Sequence, residues 1–289
     1  MTSTLLAVPN FSEGRERASI DAIGAAFDRP PLDVHFDPDH HRTVFTLAGA
    51  PGELAGVVLA GARRALELID VTSHDGAHPR VGAIDVAPIV YLDDADRGAA
   101  TAEALVLADM LGDQLELPVF LYGDLAGGRT RAALRRGGLT ALAERIRTGE
   151  QRPDFGPREL HATAGAVLVT ARPPLVAFNV ELAPPATLDD ARAVAALIRE
   201  GGAEGLPSVR AIGIWLGHRG IAQVSTNVED PRRTALADVV EAVRRHRPVA
   251  RAELVGLAPR AAFDHFPENV PVDNRRLIED ALTRVGDTD

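Results

Sequence analysis

Five of the nine histidines in this 289-residue chain fall in two short polar stretches. His35, His40 and His41 lie within 35–42, together with Asp37, Asp39 and Arg42. His74 and His78 lie within 73–80, together with Asp75 and Arg80. An imidazole titrates near ~6.5, so it can both take up and release a proton around neutrality, typically for a factor of ~10²–10⁴ in rate. In the second stretch Gly76 permits backbone angles closed to other residues, and Pro79 fixes the chain just after His78, so that ring can be aimed. Such clustering does not suit core filling, because a buried histidine needs a polar partner. A solvated loop explains either stretch alone, whereas the pair points to a functional site. The same side chains are metal-competent, so a zinc- or manganese-dependent hydrolase of amide or amidine bonds is a second chemistry they allow.

Two further segments carry polar groups in ordered positions. Asn10, Ser12 and Glu13 follow an apolar strand and offer an amide, a hydroxyl and a carboxylate at a strand-to-helix turn. Helix capping is the plain alternative there, with Ser12 as N-cap and Arg15 at the third helical position. Gln223, Ser225 and Asn227 alternate along a strand and so share one face. That row suits the polar edge of a heterocycle, and a solvent-facing strand would look the same.

The elements that must position these groups can be read from periodicity. Apolar runs predict strands at 5–8, 32–36, 43–47, 83–92 and 119–122, and helical spacing predicts helices at 15–28, 53–69, 93–116 and 129–147, the last interrupted at Gly137 and Gly138. Residues 151–157, rich in Pro and Gly, read as a linker. Beyond it come a predicted hairpin of 166–170 with 175–182 around Pro173 and Pro174, a helix at 189–200 and a hairpin of 209–216 with 221–227. A helix at 234–247, a strand at 252–257 and a helix at 274–285 close the chain. The expectation is an α/β (α+β) protein of two subdomains, 1–155 and 156–289, each a mixed sheet layered with helices, with a ligand cleft where the layers meet.

Composition narrows the field. The chain has no cysteine, which excludes disulfides, thiolate nucleophiles and cysteine-held metals. A formal net charge of −10 lacks the basic footprint of a nucleic-acid binder. No run approaches the ~18 apolar residues of a membrane span, and no signal-peptide pattern opens the sequence, so a cytoplasmic location is expected. All 31 cationic side chains are arginines, whose forked geometry suits carboxylates.

Together, Val8–Arg15, Asp37–His40 with Arg42–Val44, and His74 with Gly76 and His78–Arg80 resemble the formiminotransferase domain. This is the family of the glutamate formimidoyltransferases and of the N-terminal part of formiminotransferase-cyclodeaminase. Tyr122–Gly123, Pro153–Pro157, Ala177–Asn179 and Ala222–Asn227 extend the likeness in order over nearly the whole chain. The resemblance implies two α/β subdomains with facing sheets, a homodimer, and tetrahydrofolate as co-substrate in a charged channel. It implies formimino transfer between N-formimino-L-glutamate and the reduced folate, in histidine breakdown, with a separate cyclodeaminase for the product. It makes His78 the catalytic residue and no residue a metal ligand. Asn10 and Glu13 would then orient the amidine, and Arg42 and Arg80 would pair with substrate carboxylates. Asp39, His40, Asn179, Gln223, Ser225 and Asn227 would complete the substrate and folate sites. The chain departs from the family pattern at four places. His35 stands for an acid, which removes the obvious orienting partner of His78 and leaves Asp75, Asp37 or Asp39 to replace it. His41 stands for Asn, Asp75 for Lys and Thr170 for Gly. Those departures keep open a different donor or acceptor, and a folate-binding paralog without catalysis.

Overall fold

The computed structural model describes residues 3–76 and 78–286. The chain divides into two compact units, Met1–Pro173 and Pro174–Asp289.

In the first unit the elements run β1 (Leu5–Ala7), β2 (Asn10–Phe11), α1 (Arg17–Ala26), β3 (Asp33–Asp37), β4 (Arg42–Gly49), α2 (Leu54–Leu68) and β5 (Ile84–Tyr91). They continue with α3 (Arg97–Gln114), β6 (Val119–Leu121), α4 (Arg131–Arg135), α5 (Gly138–Arg147) and β7 (Val167–Arg172). β1 and β2 both pair antiparallel with β4 on one side and with β5 on the other, so they act as one strand broken at Val8 and Pro9. β3 flanks β4, while β7 lies parallel between β5 and β6. Every residue of β5 is buried, which is why its apolar run is nearly continuous. Alternation along β6 and β7 sends Val119, Leu121, Val167 and Val169 into a core shared with α2 and α3. The opposite face, with Phe120, Tyr122 and Leu168, packs on Leu134 of α4 and Leu142 of α5.

The second unit holds β8 (Val176–Leu182), α6 (Leu188–Ile198), β9 (Val209–Leu216), β10 (Ile221–Val228), α7 (Leu236–Arg244), β11 (Val249–Val255), β12 (Val272–Asp273) and α8 (Ile278–Gly286). Its sheet runs β12-β11-β8-β10-β9. Phe178, Val180, Val224 and Leu254 pack with Val194 of α6 and Val240 of α7, and the register sets Asn179, Glu181, Gln223 and Ser225 on the other face. The fold is therefore the mixed α/β arrangement of two helix-layered sheets that the periodicity predicts, and β9 and β10 form the expected hairpin.

Two expectations change. β7 and β8 are not a hairpin: they belong to different sheets. Pro173 and Pro174 lack N–H groups and favour extended backbone, so they carry the chain onward instead of reversing it. The stretch 151–157, taken for a linker, is held to β6. Val119 N–H donates to the Phe155 carbonyl at 3.0 Å, and the Asp154 carboxylate accepts from Leu121 N–H at 2.7 Å. The division between units accordingly falls after β7, not at 155/156.

Candidate active site

The two histidine loops are held against each other by two of their own rings. After β3, the Asp37 carboxylate accepts from His40 N–H at 2.7 Å, which tightens the turn. His41 follows with φ of 52°, in the left-handed region that Asn and His tolerate better than most residues. That geometry accounts for His41 standing where the family pattern has Asn. Its Nδ1 accepts from Gly14 N–H at 3.1 Å, and its ring stacks on His74 with centroids 4.0 Å apart. His74 accepts from Gly76 N–H through Nδ1, so its Nε2–H is free to donate to the His41 carbonyl at 3.0 Å. Burial, then the Arg80 charge, lowers the His74 pKa to about 4, and burial also lowers that of His41. Both rings are thus neutral struts joining the loops. Gly76 serves this junction differently from the sequence expectation. Its φ is not in the left-handed region, but an added Cβ would lie 2.6 Å from the His40 carbonyl oxygen and 2.6 Å from the His41 Cβ. The residue is needed for room.

Above this junction lies a small cavity with about 10 Å³ of free volume, room for about one water. Asn10, His40, Arg42, His78 and Arg80 line it, with Asp85 from β5. Some of His78 stays open to solvent, and its ring centroid lies 5.8 Å from that of His40. Dense protein around the ring, and then the positive fields of Arg42, Arg135, His40 and Arg131, hold its pKa well below the ordinary value. His78 is therefore neutral at physiological pH and able to accept a proton. No carboxylate among the described residues comes within ion-pair distance of its ring. Asp75 pairs with Arg15 at 2.6 Å, and Asp37 is engaged by His40 N–H.

Several predicted residues do other work. Arg80 turns its guanidinium onto its own loop, donating to the carbonyls of His74, Gly76 and His78, the last two at 3.0 and 3.1 Å. Glu13 accepts from Arg15 N–H at 2.7 Å and Glu16 N–H at 2.9 Å, so it shapes the entry to α1 and does not line the cavity. Asn10 does line it, while its Nδ2 donates to the Val8 carbonyl at 2.9 Å. Ser12 is not the α1 cap. That position belongs to Glu16, and the Ser12 hydroxyl donates to the Gly82 carbonyl at 2.7 Å. Asp39 and His35 are buried outside the cavity lining, and Thr170 ties β7 to the end of β6 through the Tyr122 carbonyl at 2.7 Å.

Two residues that the sequence reading passed over belong to this site. Asp85 accepts from Val81 N–H at 2.7 Å and forms a close ion pair with Arg135 of α4. The pair ties α4, and with it a cation that acts on His78, to the sheet.

In the second unit Gln223 and Ser225 are buried, which removes the solvent-facing reading, while Asn227 is half-buried. Asn179 donates to Glu253 at 3.2 Å, and the fully buried Glu181 carboxylate is flanked by Arg219 at 2.6 Å and Arg251 at 3.2 Å. No group of three or more His, Cys, Asp or Glu side chains among the described residues is placed to hold a metal ion.

Comparison with known proteins decides what this arrangement belongs to. Residues 4–172 match the family model of the formiminotransferase domain, N-terminal subdomain, and residues 177–284 match that of the formiminotransferase domain. The chain belongs to the formiminotransferase domain family. It is 36% identical over 275 residues to the glutamate formimidoyltransferase of Streptococcus pyogenes serotype M1, covering 91% of both proteins. Against the glutamate formimidoyltransferase of Thermoplasma acidophilum the identity is 35%, over 89% of this chain and 88% of that protein. The formimidoyltransferase-cyclodeaminase of Rattus norvegicus is 38% identical over 284 residues, and the chain spans about half of its length, 51%. The two family segments meet between residues 172 and 177, where the compact units also divide. In this formiminotransferase domain the first segment holds the histidine cavity and the second holds the buried amide and hydroxyl row.

Proposed function

We propose that this chain transfers a formimino group from N-formimino-L-glutamate to tetrahydrofolate, giving 5-formiminotetrahydrofolate and glutamate. The observation that carries the reading is His78, a neutral imidazole on the edge of a small cavity shared with Arg42 and Asn10. The reaction joins folate N5 to the amidine carbon and breaks the bond from that carbon to the glutamate nitrogen. A proton must leave N5, and one must reach the departing amine. His78 does both, accepting first because its neutral form prevails, then donating as imidazolium. Arg42 pairs with a donor carboxylate through its forked guanidinium. Asn10 holds the amidine, and His40 keeps the cavity wall beside the reacting ring. In the second unit Asn179, Gln223, Ser225 and Asn227 recognise the polar edge of the folate heterocycle. A homodimer, a cytoplasmic location and a separate cyclodeaminase acting on the product are part of the same proposal; among the described residues no helix is long and apolar enough to cross a membrane.

The test is direct. Purified protein is mixed with N-formimino-L-glutamate and tetrahydrofolate, and glutamate release is followed with and without the folate. Folate-dependent release is expected, and His78→Ala should cut it by ~10²-fold or more while keeping the wild-type unfolding curve. No release by the wild type removes the proposal, and undiminished turnover by His78→Ala removes the assigned mechanism.

A further inference from the structure

Among the described residues, His74–Gly76 and His78–Arg80 form no helix or strand, so they lack the repeating backbone bonds that fix the other elements. One side chain reaches along this stretch. The Arg80 guanidinium reaches back over the loop and donates to three of its carbonyls, those of His74, Gly76 and His78. The third of these belongs to the residue whose imidazole lines the cavity. We propose that Arg80 is the positioning residue of His78, acting through the three loop carbonyls and not as an anchor for a substrate carboxylate. The proposal rests on the reading of His78 as the proton-transferring group.

Four points support it. The planar guanidinium presents its donors in a fixed fork, so carbonyls two and four residues apart can be held in one geometry, which an ammonium group cannot reproduce. A guanidinium already committed to three carbonyls has fewer donors left for a carboxylate. The rest of the loop is restrained from the other side, by His74 on the His41 carbonyl and by the crowding around Gly76, so Arg80 supplies the restraint nearest His78. Its charge, moreover, is not among the main causes of the His78 pKa shift, whereas Arg42, Arg135 and Arg131 are. Loss of Arg80 should therefore misplace the ring without retuning it. A misplacement of the order of 1 Å is enough to cost ~10²-fold in rate.

The experiment compares wild type, Arg80→Lys and Arg80→Ala in steady-state kinetics and in histidine side-chain NMR of selectively labelled protein. Positioning predicts that kcat falls at least ~30-fold in both variants, a loss within the range set by ~1 Å misplacement. The KM values for donor and reduced folate should stay within about threefold, as expected when binding contacts are kept. The acid limb of the kcat profile should keep its wild-type midpoint. Added guanidinium ion should restore part of kcat to Arg80→Ala, and the His78 imidazole signal should broaden or divide in both variants. A carboxylate anchor predicts the opposite split, with the donor KM raised, kcat largely kept and the His78 signal unchanged; that result overturns the proposal. Should Arg80→Ala fail to fold, Arg80→Lys retains the charge and decides by the same readouts. If the wild type shows no transfer at all, the reaction assignment fails, while the His78 signal in the variants still decides the positioning claim.

Discussion

At the scale of single residues, the site separates histidines that hold loops from His78, which the proposed reaction uses. His41 and His74 use their ring nitrogens on backbone groups, and neither presents a free pair to a substrate. His78 differs because the field around it is built from cations. Burial is the largest cause of its depressed pKa and Arg42 comes next. The sign of the resulting pH dependence follows. In the proposed mechanism turnover needs neutral His78, so the acid limb of kcat should lie below pH 6.5, the ordinary value. Replacing Arg42 by Gln removes a charge that disfavours the imidazolium, so the limb should move to higher pH, still short of 6.5 because burial remains. A pH series of kcat for wild type and Arg42→Gln measures this, and a limb that stays put or moves down contradicts it. His40, His78, Arg42 and Asn10 were legible in the sequence because rare polar types collect between apolar runs. Asp85 was not. It sits inside a strand that reads as wholly apolar, and its partner Arg135 sits in an arginine-rich helix where exposure is the default reading. Arg80 was visible as a residue but not in its role, since nothing in one dimension shows a side chain turning back onto its own loop.

At the scale of elements, the histidine loops depend on a sheet whose surrounding helices are tied together from within. Glu103 of α3 is buried and accepts from Ala55 N–H at 2.6 Å and from Gly52 N–H in a shorter contact. A buried carboxylate from one helix thus satisfies orphan donors at the start of α2, in place of the side-chain cap that Glu53 does not provide. Substitution Glu103→Leu leaves the Ala55 donor unpaired away from water, with the Gly52 donor returned to solvent, and should destabilise the fold by on the order of 1–2 kcal/mol. The change Glu103→Gln, which keeps one acceptor oxygen, should cost less. Urea unfolding of both variants checks the ranking, and a Leu variant as stable as wild type would refute the capping role. Element types were largely readable, since a helical period is plain in 53–69 and a nearly unbroken apolar run of strand length in 83–92. Partners were less so. An apolar six-residue strand such as β7 carries no mark of which sheet it joins, and its parallel place between β5 and β6 depends on residues far away in sequence. The two-residue strands β2 and β12 are too short for any period to show.

For the molecule as a whole, each unit has its own core, so the two faces of the proposed reaction can be perturbed separately. In the proposed reaction the first unit supplies the proton chemistry. To the second unit falls the buried row on β8 and β10, whose amide and hydroxyl groups are assigned to the folate heterocycle. Gln223 is the most informative member because no part of it is exposed. Replacing it by Met keeps nearly the same volume and removes the amide, so packing in the second core should survive. Loss of one or two hydrogen bonds to the heterocycle, worth about 1.4 kcal/mol together, corresponds to roughly a tenfold rise in KM for the reduced folate. The KM for the formimino donor and the pH profile set by His78 should not change, because those depend on side chains of the first unit. Initial rates over a grid of donor and folate concentrations separate the two constants. A raised donor KM with an unaltered folate KM would move the heterocycle away from this row and assign it to the glutamate end of the donor. A variant with both constants unchanged would leave the row with a purely structural part, as a hydrogen-bonded layer on the face of the second sheet.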